Sequence, residues 1–222
     1  MKKTIFNLFM IAGITMATVG CKNENKEATT GDLQDVAIAK PEAVEFVVET
    51  TSSVIEWKGE KPLGTHTGTI KLAKGTFKAN DSIVESGTFV IDMTSINVTD
   101  LTGEDKMKLE NHLKGTVKGQ EGDFFNANEF PEAIFEVTGI STKDGKTMLQ
   151  GNLTMKGVTK NVEFPVAISM NGDTLELTSD TFVIDRTKWG VNYGSKSVFD
   201  SLGDKFINDE MELTIKLKAF KA

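Results

Sequence analysis

Side chains suited to covalent or acid–base chemistry are few here: one cysteine, Cys21, and two histidines, His66 and His112, in 222 residues. Histidine is the usual proton carrier near neutral pH, and a Ser-His-Asp site can assemble from distant positions. The chain nevertheless contains no HExxH, CxxC, GxSxG or glycine-rich phosphate loop. Metal catalysis would need more histidine or a carboxylate cluster at ligand spacing. The expectation is a protein that is not an enzyme, with no catalytic residue, no cofactor and no metal. Arg186 stands apart, because it continues the apolar alternation of Phe182 and Ile184 and so points inward unless a bulge intervenes. A buried guanidinium is unfavourable without partners. Two readings stay open: a polar contact to a ligand headgroup, or an arginine at the end of the fold held by a carboxylate or backbone carbonyls. His66 shares parity with Gly68, Ile70 and Leu72, and it reads either as a hydrogen-bonded histidine near a turn or as a ligand contact. His112, beside Leu113, reads as a lid residue.

The position of Cys21 suggests a different chemistry. Lys2 and Lys3 precede an apolar run from Ile5 to Val19, and small residues end it at Thr18-Val19-Gly20-Cys21. That is the three-part pattern of a secretory signal over 1–20, too short to span a bilayer in the mature protein. Gly20-Cys21 resembles a bacterial lipobox, with Thr18 where leucine is commonest, so Cys21 is the expected lipidation site. Simple secretion with a spare thiol is the alternative. Residues 21–43, rich in Lys, Asn, Glu, Thr and Ala at their start, read as a lipid-anchored flexible tether. The expected location is the bacterial cell envelope, at the outer membrane or its periplasmic face. The formal charge of -7 becomes more negative still when Lys2 and Lys3 are removed. An acidic surface argues against nucleic acid as a partner.

The elements that position these groups are strands. Ile55 and Trp57 alternate with Glu56 and Lys58, Ile70 and Leu72 with Thr69 and Lys71, and Phe89, Ile91 and Met93 with Val90 and Asp92. The same period of two recurs at Leu149–Met155, Val162–Met170 and Leu213–Ala219, with one polar face throughout. Turn signals at Ala79-Asn80-Asp81, Lys143-Asp144-Gly145, Lys156-Gly157 and Asn171-Gly172-Asp173 make the neighbours antiparallel. Many such strands give a sandwich or a barrel, and closure removes exposed edges. The fold class expected is therefore all-β, one barrel domain over 44–222. Thr102 to Gly115, in the longest connection, reads as a short helix with a Thr102/Asp105 capping box, placed to cover one end.

Several blocks, taken in order, resemble the YceI-like family: Gly64-Thr65-His66-Thr67-Gly68, His112-Leu113, Asp123-Phe124-Phe125 with Phe130-Pro131, Gly151-Asn152-Leu153-Thr154-Met155-Lys156-Gly157, and Asp185-Arg186-Thr187-Lys188-Trp189-Gly190 through Gly194. Three departures are the glycine-containing stretch Lys114–Gly122, Asn161 where a proline is usual, and the tether at Cys21. The resemblance implies an eight-stranded antiparallel lipocalin-like barrel with a long apolar pocket for a polyisoprenoid or similar chain. The expected function is non-catalytic binding or carriage of a long apolar chain of polyisoprenoid, prenyl quinone or fatty acyl type. A filled barrel acting as an interaction module is the alternative, and a lipid-modifying enzyme a third reading. Residues expected to line the pocket are Trp57, Ile70, Leu72, Phe89, Ile91, Phe135, Leu153, Phe164, Phe182 and Ile184. His66, Arg186, Trp189 and Tyr193 are expected at its polar end. The expected partners are an apolar small molecule and, through the anchor, a membrane. A homodimer is compatible with the sequence.

Overall fold

The computed structural model describes residues 27–80 and 83–222. The expected signal segment, the lipidation site Cys21 and Asp81 of the first turn lie outside those residues. Among the described residues there are eleven strands: β1 Thr29–Gly31, β2 Val44–Val48, β3 Val54–Lys61, β4 Gly64–Asn80, β5 Ile83–Val98, β6 Glu132–Lys143, β7 Lys146–Met155, β8 Val158–Asn171, β9 Thr174–Ser179, β10 Phe182–Asp185 and β11 Glu210–Lys221. Eight of them close an antiparallel ring in the order β3-β4-β5-β6-β7-β8-β9-β11 and back to β3. The other strands extend or patch that ring. β2 continues the lane of β3 between β4 and β11, and β10 continues the lane of β9 along β11.

The turns follow the local chemistry. Asp144-Gly145 and Lys156-Gly157 each place two successive residues at positive φ, 52° and 76° in the first pair and 48° and 74° in the second. These conformations match the right-handed strand twist and make two-residue hairpins compact. One helix, α1 Gly103–Lys114, stops at Gly115 in the left-handed conformation (φ 69°). The expected capping box is not formed, since Thr102 occupies the N-cap with no side-chain hydrogen bond. The helix is instead fastened to the end of β5. Glu110 accepts from the Val98 N–H at 2.9 Å, and Lys106 donates to the Val98 carbonyl at 2.7 Å.

The flexible tether expected over 21–43 is corrected from Glu27 onward, because that stretch is strapped to the barrel. Glu27 bridges Val183, the Ala28 N–H donates to the Val183 carbonyl at 2.8 Å, and β1 pairs with β8. The Ala37 N–H donates to the Val137 carbonyl at 2.9 Å, beside a bulge in β6. Asn152 grips the strap from both sides: its amide oxygen accepts from the Gln34 N–H at 3.1 Å and its amide nitrogen donates to the Gln34 carbonyl at 2.7 Å. Asn161, at the departure from the family pattern, donates to Asn152 at 3.1 Å and to Thr138 at 2.9 Å. The sequence hid this because backbone bonds hold the segment, and any side chains permit those. Asn152→Ala removes both bonds to Gln34 and is expected to destabilise the protein by about 2 kcal/mol. Hydrogen exchange checks it: amides of 28–37 should exchange faster while those of β5 keep their protection.

Candidate ligand-binding site

The barrel interior divides into an open half and a packed half. The open half holds a cavity of about 390 Å³ at the end where α1 lies. Of the ten residues expected to line it, Trp57, Ile70, Ile91, Leu153 and Ile184 do face it. Leu72, Phe89, Phe135 and Phe164 do not; they sit deeper, around a second void of about 40 Å³. Phe182 is also deep, stacked on Phe164 with ring centroids 4.2 Å apart. Period two assigns a side chain to the inner face, but it says nothing about depth along the barrel axis.

Inward glycines do not widen the interior for a guest. The tip of the Phe135 ring reaches Gly151, where an added Cβ would be 2.6 Å from ring carbons, and Trp57 reaches Gly68 with its ring carbons 2.5 Å from such a Cβ. Each glycine makes room for an aromatic ring rather than for a guest.

The polar end combines three different arrangements. His66 Nδ1 is 2.8 Å from Asp100, whose other oxygen accepts the Thr67 N–H at 2.9 Å. Burial pushes the Asp100 carboxyl up, but the Thr67 N–H and His66 outweigh it and leave the group below its ordinary range. A carboxylate with a depressed pKa in the fold adds stability above its unfolded pKa, and that stability fades as pH falls through the folded value. Asp100→Asn should therefore flatten the loss of stability below about pH 4, read from urea midpoints between roughly pH 3 and 6.

Arg186 reaches the cavity wall, but its strand ends at Asp185, which accepts from the Thr187 N–H at 2.9 Å and starts a 3-10 turn. The guanidinium donates to the carbonyls of Asn208 (3.1 Å), Val191 (2.6 Å) and Ile207 (3.2 Å). Of the two readings open for it, the arrangement seen is the carbonyl-bonded one. Burial lowers its pKa, partly offset by Asp209 and Asp185. Asp209 Oδ1 is 3.7 Å away, an ion pair too long to be a hydrogen bond, and that buried oxygen has no hydrogen-bond partner among the described residues.

Tyr193 faces the cavity and is partly exposed. Trp189 does not: it is fully buried in the core, donating from Nε1 to the Leu153 carbonyl at 2.9 Å. The structure adds wall residues that periodicity missed, chiefly His112, Phe124 and Phe125. The loop after α1 folds back, with Phe125 N–H bonded to the Leu113 carbonyl and Ala127 N–H to the Lys114 carbonyl. His112 Nε2 is then 2.7 Å from Asp123, and its ring meets Phe124 and Tyr193 edge-on, each at 4.9 Å. The adjacent phenylalanines in a segment without periodicity were the available signal.

Both histidine rings are held by carboxylates, and among the described residues neither is hydrogen-bonded to a hydroxyl nucleophile. No group of three or more His, Cys, Asp or Glu among the described residues could hold a metal ion, and no helix among them is long and apolar enough to cross a membrane. The geometry is that of a small apolar pocket with a few fixed polar groups at its opening.

A closed antiparallel barrel of eight strand positions, with one helix over an open end and an apolar interior cavity, defines a lipocalin-like barrel protein. The chain belongs to the YceI-like domain family, whose model matches residues 42–219. Curated relatives named "Protein YceI" from Salmonella arizonae and Salmonella newport are 32% identical over 104 residues, which is 45% of this chain. The matched region spans about half the length of those relatives (50%). Among solved structures, Burkholderia cenocepacia BcnA aligns with a TM-score of 0.60 at 22% identity, over 77% of this chain and 98% of that one. A polyisoprenoid binding domain from Saccharophagus degradans, implicated in plant cell wall breakdown, aligns with a TM-score of 0.56 at 12% identity, over 81% and 99%. At these identities the likeness is one of fold.

Proposed function

We propose that this protein binds the apolar chain of an isoprenoid or acyl compound inside the barrel, non-catalytically, with the polar part of the ligand at the mouth. The observation that carries this reading is the 390 Å³ cavity, walled by Trp57, Ile70, Ile91, Leu153 and Ile184 and opening past His66, His112 and Tyr193. The fold it shares with a polyisoprenoid binding domain supports the same choice. Burying roughly 300 Å² of chain contributes about 8 kcal/mol gross at ~25 cal/mol/Å². Ordering the chain offsets much of that, so micromolar affinity is expected. The same reading places the protein at the bacterial envelope, attached to a membrane through acylated Cys21. Five residues lie between Cys21 and Glu27, and Glu27 bridges Val183 on the barrel. At an extended ~3.3–3.6 Å per residue, the barrel would stand about 20 Å or less from its anchor.

The test is native mass spectrometry of protein purified from the cell envelope, followed by organic extraction. A prenyl or acyl species near one per chain is expected, on a protein whose N-terminal mass carries acyl groups. The same spectra count protomers. An empty barrel that also takes up no added prenol or fatty acid would overturn the carrier reading and favour a filled barrel acting as an interaction module.

A further inference from the structure

The strap over residues 27–40 carries apolar side chains on the side turned away from the barrel. Val36 and Ile38 are exposed at 41% and 94%, while Ala37 and Ala39 between and beside them are partly buried. Leu33, just before the Gln34 clamp, is exposed at 66%. Among the described residues Ile38 is the most exposed large hydrophobic side chain. Lone exposed apolar groups are ordinary, but three within six residues on a segment fixed to the barrel form a face that normally meets a partner or a lipid surface.

The register places this face close to where the strap joins the barrel. Thr30 pairs with Val162, Val162 with Gly151 and Gly151 with Val137, whose carbonyl accepts the Ala37 N–H. Thr30 and Ala37 therefore lie at one height, two strand spacings or about 10 Å apart across the sheet. That is within the reach of about 20 Å that the five residues after Cys21 allow. No strap residue lines the cavity, so the face is distinct from its opening. The charges beside it, Asp32 and Lys40, are engaged with Lys160 and Glu85, and the chain is acidic as a whole. Contact with lipid would accordingly be apolar and indifferent to salt.

We propose that Leu33, Val36 and Ile38 form a membrane-docking face, which lays the barrel on its strap side against the bilayer that holds the acyl anchor. The inference rests on the lipid-anchored reading above and adds the orientation. An anchor joined to a second, apolar contact holds a protein at a surface more firmly than the anchor alone.

The experiment places acylated protein in phosphatidylcholine vesicles that contain spin-labelled lipid. Cys21 is the only cysteine and its sulfur carries the lipid, so an introduced cysteine takes a fluorophore selectively. Asp35→Cys labels the strap face without removing an apolar group. Leu63→Cys labels the hairpin tip between Lys61 and Gly64, which line the cavity, and Lys74→Cys labels the outer side of β4. The label at 35 should be quenched severalfold more than those at 63 and 74, equally at low and high salt. Adding Leu33→Ser and Ile38→Ser should shift the docked-to-free ratio about tenfold per side chain toward free. Both sites are exposed, so the melting curve should not move. An acylated, vesicle-bound chain whose label at 35 is not quenched would overturn the docking face, and strong quenching at 63 would turn the mouth toward the lipid instead. Quenching unchanged by the two serines would also overturn it. A label at 35 already shielded without vesicles, in a protein that sediments as a dimer, would make the face an interface between copies. A chain that carries no acyl mass and stays off the vesicles would overturn the anchored reading itself.

Discussion

Arg186→Met is expected to destabilise the protein by about 3–5 kcal/mol, among the largest effects of any single substitution here. The guanidinium is 2% exposed and bonds three carbonyls from two separate stretches, Val191 on one side and Ile207 and Asn208 on the other. It also lies 3.7 Å from the Asp209 carboxylate. Methionine fills similar volume but donates nothing, so three carbonyls lose a donor and a partly buried carboxylate loses its counter-ion. Such orphaned groups destabilise more than the lost bonds contribute on their own. Arg186→Lys should recover little, because an ammonium cannot reach three carbonyls spread around a planar fork. Urea denaturation reads the effect: the midpoint should fall with the slope unchanged. A loss below about 1 kcal/mol would mean that the carbonyls find other donors, and the account of Arg186 as the tie at the barrel end would fail.

Gly68→Ala should cost about 3 kcal/mol and weaken chain binding as well. Gly68 of β4 pairs with Trp57 of β3. A Cβ at that position would collide with the Asn97 carbonyl oxygen on one side and with Trp57 Cε2 and Cζ2, at 2.5 Å, on the other. The carbonyl belongs to a strand paired with β4, so β4 and the cavity-lining indole must both shift. Gly139→Ala is the control, because its Cβ would meet only Gln150 Oε1 at 3.4 Å. Replacing a strand glycine there should be neutral or stabilising by about 0.5 kcal/mol. Equal behaviour of the two variants, in thermal melts and in probe titration, would show that the indole is not pinned by Gly68.

Both predictions concern residues whose importance the sequence announced for an incomplete reason. Arg186 was conspicuous because it broke an apolar alternation, and alternation is a local, one-dimensional signal. What it bonds was invisible, since Ile207 and Asn208 arrive from 21 and 22 residues away as backbone carbonyls, which carry no residue signature. Gly68 and Gly151 are members of the family-like blocks, and nothing local says what faces them. Only the register that places Phe135 and Trp57 over them shows that they accommodate rings.

Period-two alternation, the glycine turns and the helix stop at Gly115 are set by interactions within a few residues, so the sequence by itself determined the all-β class, the antiparallel hairpins and the position of α1. Inner face against outer face was determined in the same way, which is why Trp57, Ile70, Ile91, Leu153 and Ile184 were legible as wall residues. Depth along the axis depends on strand tilt, bulges and ring closure, and these are properties of the whole sheet. The tertiary structure alone decided that Phe89, Phe135, Phe164 and Phe182 lie deep in the packed half, that Trp189 is core, and that His112 and Phe124 line the cavity. It also decided that residues 27–40 are strapped to the barrel, because backbone hydrogen bonds and an Asn152 clamp 118 residues from Gln34 hold them there, and no local pattern encodes contacts across that separation.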